Sequence, residues 1–292
     1  MSESQTLSFT GERFTPECVR EIWYEHWHRY AFARRMVSGK RVLDAACGEG
    51  YGTALLAAVA TEAVGVDIDA ATIAHASTRY AAIGNLRYHC TDVTRLPFPD
   101  RSFDVVVSFE TLEHLAAQEA LLAEFARVLA ADGMLVLSSP DKRTYSDLTG
   151  FRNEFHVREL YRDELLALLQ PHFSAIHLFG QKLLFQSAIW SLSPMASAGE
   201  ASTAIGEGGP LQEGLAYEPI YYLAVCSNAG LPADLPAMSW FGDREESVYS
   251  HYNHEIRKNM AAGAHIAGLE AEISRLRATI ATLQEQDVKR SR

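Results

Sequence analysis

The chain has 292 residues, enough for one large domain or two modest ones, and its 48% hydrophobic and 22% charged residues are the make-up of a globular protein with a substantial core. Its formal charge of −11 opposes broad binding to nucleic acid. Cys18, Cys47, Cys90 and Cys226 show no C-x-x-C spacing, which argues against a structural zinc or disulfide framework.

In chain order, residues 16–37 read as a helix opened by Pro16. Short apolar strands then alternate with helices. Strands are expected at 41–47, 63–68, 85–90, 103–109 and 133–140, and helices at 51–60, 71–82 and 112–130. A polar, aromatic stretch after residue 141 leads to a helix at 161–170. Two more apolar strands fall near 173–187 and 219–226, around a Ser-, Ala- and Gly-rich stretch at 191–216 that reads as a mobile loop. This alternation predicts an α/β fold, a doubly wound, mostly parallel sheet of seven strands with helices on both faces.

The tail carries Ile266, Leu269, Ile273, Leu276, Ile280 and Leu283 at alternating gaps of three and four. Ile at a and Leu at d is the choice of parallel two-stranded coiled coils, and Glu272 at g suits Arg277 at e of another helix. A single helix docked on its own domain is the competing reading. The organisation expected is an N-terminal helical cover for substrate or cofactor over 1–40, a core domain over 41–228, a linker over 229–242 and a C-terminal coiled-coil helix over 243–287. The first residues lack a basic-then-apolar leader, and no apolar run approaches the ~20 residues that span a bilayer, so a cytoplasmic location is expected.

Open α/β sheets bind ligands beyond the carboxyl ends of their strands. The first strand ends in "VLDAACGEGYG", where Gly48 and Gly50 let backbone approach a ligand closely. Asp67 ends the second strand, placed to take both hydroxyls of a ribose, and Asp92 follows the third, able to accept from an adenine amino group. A nucleoside is the common reading. The dinucleotide pattern G-x-G-x-x-G fails, because Thr53 stands at its third glycine.

The loop resembles motif I of the class I S-adenosylmethionine-dependent methyltransferases, "LDxGCGxG", with Ala46 for the usual first glycine and little change expected in the turn. "LPFPDRSFDVVVS" resembles that family's lead-in to strand 4. The resemblance covers about residues 40–228. It implies S-adenosylmethionine as cofactor, held by Asp44, Ala46, Gly48, Gly50, Asp67, Ile68, Asp92, the Val93 backbone and Glu110.

"FETLEH" at 109–114 follows the fourth strand, where an acceptor must lie in line with the methyl donor. If a helix begins there, Glu110, Glu113 and His114 share one face. E-x-x-E-H resembles metal-dependent O-methyltransferases of small-RNA 3′ ends and of ubiquinone synthesis, in which a second His arrives after strand 5, here His156. That implies Mg2+ or Mn2+ on Glu110, Glu113, His114 and His156. His114 or His156 as a metal-free base, with Glu113 beside them, and a plain helix start remain open readings.

"FTGERFTPE", "YEHWHRY", "SSPDKRTYSD" and "NEFHVREL" resemble O-methyltransferases of bacterial surface-polysaccharide (O-antigen) clusters, some fused to glycosyltransferases. This implies methylation of a sugar hydroxyl on a growing glycan, as a chain-end cap, with Arg13, His28 and Arg29 toward the acceptor. It also implies a homodimer or a glycosyltransferase partner joined through the coil, at the inner face of the membrane through such partners. The alternatives are an O-methyltransferase of a small metabolite or lipid, and a non-catalytic adaptor working through its coil. An NAD-dependent oxidoreductase lacks its third glycine and any Tyr-x-x-x-Lys pair.

Overall fold

The computed structural model describes residues 21–186, 201–205 and 210–290. The chain forms two compact units, Met1–Phe241 and Gly242–Arg292. In the first, α1 (Glu21–Arg34) precedes β1 (Arg41–Ala45), α2 (Tyr51–Ala57), β2 (Glu62–Asp67), α3 (Ala70–Arg79), β3 (Leu86–Cys90) and β4 (Phe103–Ser108). There follow α4 (Gln118–Val128), β5 (Leu129–Pro140), α5 (Arg162–Leu169), β6 (Ala175–Gln181), the short β7 (Ser202–Ala204) and β8 (Leu211–Glu213), and β9 (Tyr221–Ser227). The second unit is α6 (Ser247–Arg290), which runs through Gly263 and Gly268.

Seven strands make one sheet in the order β3-β2-β1-β4-β5-β9-β6, parallel except for β9, which runs antiparallel to both its neighbours. The apolar strands are apolar because both faces are covered. On β4, Val106 packs into one core with Leu43, Leu121 and Phe125, while Val105 and Val107 pack into another with Tyr30, Val42 and Leu56. Successive side chains of a strand point to opposite faces, so the two cores lie on the two sides of the sheet.

Several expectations need correction. The helix expected over 112–130 begins at Gln118; Leu112–His114 is a single 3-10 turn, and Leu115 after it is extended. The Gln118 side chain donates to the carbonyls of Leu112 and Arg158, at 2.9 Å each, so polar bonds and not helical repetition hold this turn. β5 begins at Leu129, four residues early, where Leu129 aligns with Phe103 across a register shift. Within 191–216 the described residues contain an antiparallel ribbon, β7 with β8; residues 191–200 and 206–209, like residues 1–20, lie outside the described residues. The segment expected as a linker packs within the first unit, with Phe241 against Trp23 and His28. Among the described residues no helix is long and apolar enough to cross a membrane.

Candidate active site

The carboxyl end of β1 turns through three left-handed residues, Ala46 (φ 60°), Gly48 (φ 54°) and Gly50 (φ 88°). That conformation costs a residue with a Cβ roughly 1–2 kcal/mol, so Ala46 carries strain that glycine at this place would not. At Gly50 the limit is also space, since a Cβ there would lie 2.6 Å from the Tyr88 hydroxyl, which donates to the Gly50 carbonyl at 2.7 Å.

Asp67 closes this loop. One carboxylate oxygen accepts the Gly48 N–H at 3.0 Å and the other accepts the Asp69 N–H at 2.9 Å, tying the ends of β1 and β2 together. A carboxylate oxygen has two acceptor lobes, so each retains capacity for a hydroxyl. Ile68 beside it is 73% exposed, an apolar surface at the rim. The Asp92 carboxylate accepts from the Thr94 N–H and hydroxyl, a local turn, and Val93 buries its side chain in the core.

Asp44 differs from its sequence role. It is fully buried and accepts from the Thr53 hydroxyl at 2.7 Å and from the Tyr30 hydroxyl at 3.2 Å. Burial pushes its carboxyl up to about 7, against the opposing pull of those bonds. It braces the loop from beneath and ties it to α1.

At the end of β4 the expected single face is broken. Glu110 is itself left-handed (φ 51°) and turns to Ser138, whose hydroxyl donates to it at 2.6 Å, and to Arg29 at 3.6 Å. Arg29 is 1% exposed, donates to Gln181 at 2.8 Å and lies over the Tyr221 ring, so it is a buried strut and not an open acceptor contact. Arg13 lies outside the described residues.

Glu113, His114 and His156 do come together, with ligand atoms within 4.8 Å of one another. The Glu113 backbone carbonyl accepts the N–H groups of Val157 and Arg158, at 2.8 and 3.0 Å, and so draws the segment after β5 over the turn. His114 Nδ1–H donates to the Phe155 carbonyl at 3.0 Å, which leaves the ring lone pair on Nε2. His156 Nδ1 meets Glu159 at 2.6 Å, its Nε2 meets the Asn153 amide at 3.0 Å, and Tyr145 stacks on its ring. Glu113 is fully buried, and neither carboxylate oxygen has a hydrogen-bond partner among the described residues. Burial, then the charge of Glu110, holds its carboxyl well above the usual range. Sequence reading missed Glu159, Asn153 and Tyr145; "RNEFHVREL" carries the signal, because Asn153 and Glu159 stand three residues either side of His156.

A cavity of about 520 Å³ opens between α1, the end of β6 and residues 215–241. Tyr24, Phe179, Trp240 and Phe241 line it, with Glu25, His28, Arg162 and Ser239 among the polar groups. His28 bonds Ser239 at 3.0 Å and stacks on Phe241; burial, then Arg29, lowers its pKa to about 4, so it is neutral at pH 7. Burial pushes Glu25 up to about 7.

Strand order, the antiparallel β9 and a left-handed glycine loop at the end of β1 fit the Rossmann-like methyltransferase fold. Residues 43–137 match the family model described as a methyltransferase domain. Among curated proteins, a "Probable S-adenosylmethionine-dependent methyltransferase" of Mycobacterium tuberculosis is 39% identical over 166 residues, covering 56% of this chain and 60% of the relative. One of the same description from Mycolicibacterium smegmatis is 40% identical over 167 residues, covering 56% and 64%. A ubiquinone biosynthesis O-methyltransferase of Bradyrhizobium sp. is 32% identical over 123 residues, covering 41% and 48%. This chain thus spans less than two thirds of the length of each of these three relatives. Among solved structures, the YcgJ protein of Bacillus subtilis is 25% identical, with a TM-score of 0.48 over 52% of this chain and 70% of that one.

Proposed function

We propose that this chain transfers the methyl group of S-adenosylmethionine to an oxygen, and that the acceptor is a hydroxyl of a sugar on a bacterial surface glycan. The observation that carries the transfer is the loop at the end of β1, laced to Asp67 and adjoining, on the neighbouring strand β4, the Glu113–His114–His156 cluster. Asp67 would take the ribose hydroxyls, Ile68 would cover the adenine face, Asp92 and the Val93 N–H would meet its edge, and Gly48, Gly50 and Glu110 would flank the methionine portion. The name of the Bradyrhizobium relative supports oxygen as the acceptor atom.

A sugar hydroxyl is a poor nucleophile near neutral pH, so a base or a cation must assist it. The cluster fits a divalent cation on the strength of Glu113, whose two buried oxygens have no partner among the described residues. Glu113 and His114 would hold it, with His156 once its Nε2 gives up the Asn153 amide; Glu110, bonded to Ser138, would not. One oxygen and two nitrogens suit Mn2+ better than Mg2+, which favours all-oxygen sites. The bound ion would lower the pKa of the acceptor hydroxyl. A metal-free reading has its own support in the 2.6 Å bond of His156 to Glu159, which would orient His156 as a base.

The cavity beside α1 supports a sugar over an apolar lipid: aromatic rings for stacking alternate with short polar groups at a volume usual for small-ligand sites. The test is transfer of labelled methyl from S-adenosylmethionine to oligosaccharides, with and without a chelator. A base-stable methyl ether on a sugar supports the reading; label only in esters, in amines or nowhere removes it. Full activity in chelator removes the metal and leaves His114 or His156 as the base.

A further inference from the structure

We propose that α6 pairs with α6 of a second copy as a parallel, in-register, two-stranded coiled coil. The row Ile266, Leu269, Ile273, Leu276, Ile280 and Leu283 is 49% to 57% exposed along its length. A helix of 44 residues with such a row uncovered gains little from burial, and helices owe most of their stability to a packed apolar face. The seam is bounded: Asn259 and Asp287 occupy the a positions before and after it, so the apolar stretch is three heptads in one frame.

Its partner can be read from the flanks. In a parallel, in-register pair, Glu272 at g faces Arg277 of the partner subunit at e, and His265 at g faces Glu270 of the partner subunit at e. Two-fold symmetry makes each contact twice, so one sequence supplies both halves of the complementary edge, as a self-pairing surface requires. Glu272 meets Arg275 of its own helix at 2.8 Å, an exposed pair weak enough to be exchanged. The orientation follows from the core positions. In register, Ile packs on Ile at a and Leu on Leu at d, the arrangement that favours two parallel strands; an antiparallel pair would set Ile273 against Leu276. Two methyltransferase units on one tether would raise the local concentration of sites on a repeating acceptor, a consequence that rests on the function proposed above.

The test uses the full chain. Sedimentation equilibrium at micromolar concentration is expected to give a dimer, and an Ile273→Asp/Leu276→Asp chain a monomer whose calorimetric titration with S-adenosylmethionine matches the parent. In a background with Cys18 and Cys90 replaced by Ser, Ile273→Cys is expected to oxidise to a covalent dimer by itself, because equivalent a positions lie within disulfide reach. A monomeric or trimeric parent overturns the proposal, as does a dimer that survives the double substitution. Cross-linking that needs Ile273→Cys mixed with Leu276→Cys chains shows the antiparallel pair and overturns it too.

Discussion

Replacing Asp67 by Ala removes two hydrogen bonds and, on the proposed function, the ribose contact as well. Both native bonds run from backbone N–H groups to a carboxylate, at 3.0 Å from Gly48 and 2.9 Å from Asp69. Bonds to a charged group contribute roughly 1.5–3 kcal/mol each, and access of water to the site favours the lower figure, about 3 kcal/mol for the two. In a unit of this size about 1 kcal/mol moves the melting temperature by roughly 2–4 °C, so a fall of about 6–12 °C is expected. Loss of two hydroxyl contacts to the same charge weakens the cofactor by a similar free energy, roughly 100-fold in Kd. Thermal unfolding without ligand and calorimetric titration with S-adenosylmethionine read the two effects separately. A lowered midpoint with unchanged affinity would leave Asp67 as a brace only. An unchanged midpoint would contradict the hydrogen bonding itself.

Three further outcomes are expected. Gly50→Ala forces a Cβ into the left-handed region and to 2.6 Å from the Tyr88 hydroxyl, so a destabilisation of roughly 2–4 kcal/mol should appear in denaturant unfolding; a wild-type midpoint would refute the loop geometry. Asp44, with its carboxyl pushed up to about 7, starts from roughly 3.9 in the unfolded chain. The folded state therefore holds the proton more tightly, and stability is lost as pH rises from about 4 through about 7, by at most ~1.4 kcal/mol per unit. Asp44→Asn should flatten that slope between about pH 4 and pH 7, and equal slopes in variant and parent would place the pH dependence elsewhere. Glu113→Gln should abolish stabilisation of the protein by Mn2+ in a thermal-shift assay, and an undiminished shift would place the ion on other residues.

The sheet was legible because strands covered on both faces are written as unbroken apolar runs, and "FDVVVSF" or "GMLVLSSP" admits few other structures. The glycine loop was legible because its conformation demands particular residues. What failed was local geometry that spacing does not encode. "FETLEH" has helical spacing, yet Glu110 is left-handed and only one 3-10 turn follows, so Glu110 and Glu113 part company. The meeting of His156 with His114 was legible only through the family resemblance, because the backbone bonds to Glu113 that bring it there follow no local pattern. Asp44 and Arg29 read as polar site residues, but Thr53 and Tyr30 bind the one, while Gln181, Glu110 and Tyr221 engage the other.

The central claim meets its most direct test in a crystal of the full chain grown with S-adenosylhomocysteine, the demethylated cofactor product. The account predicts electron density for the nucleoside over the Gly48–Gly50 loop, both ribose hydroxyls within hydrogen-bond distance of Asp67, and the sulfur facing Glu113 and His114. Density for the nucleoside elsewhere in the molecule, or an Asp67 carboxylate without contact to it, would contradict the account.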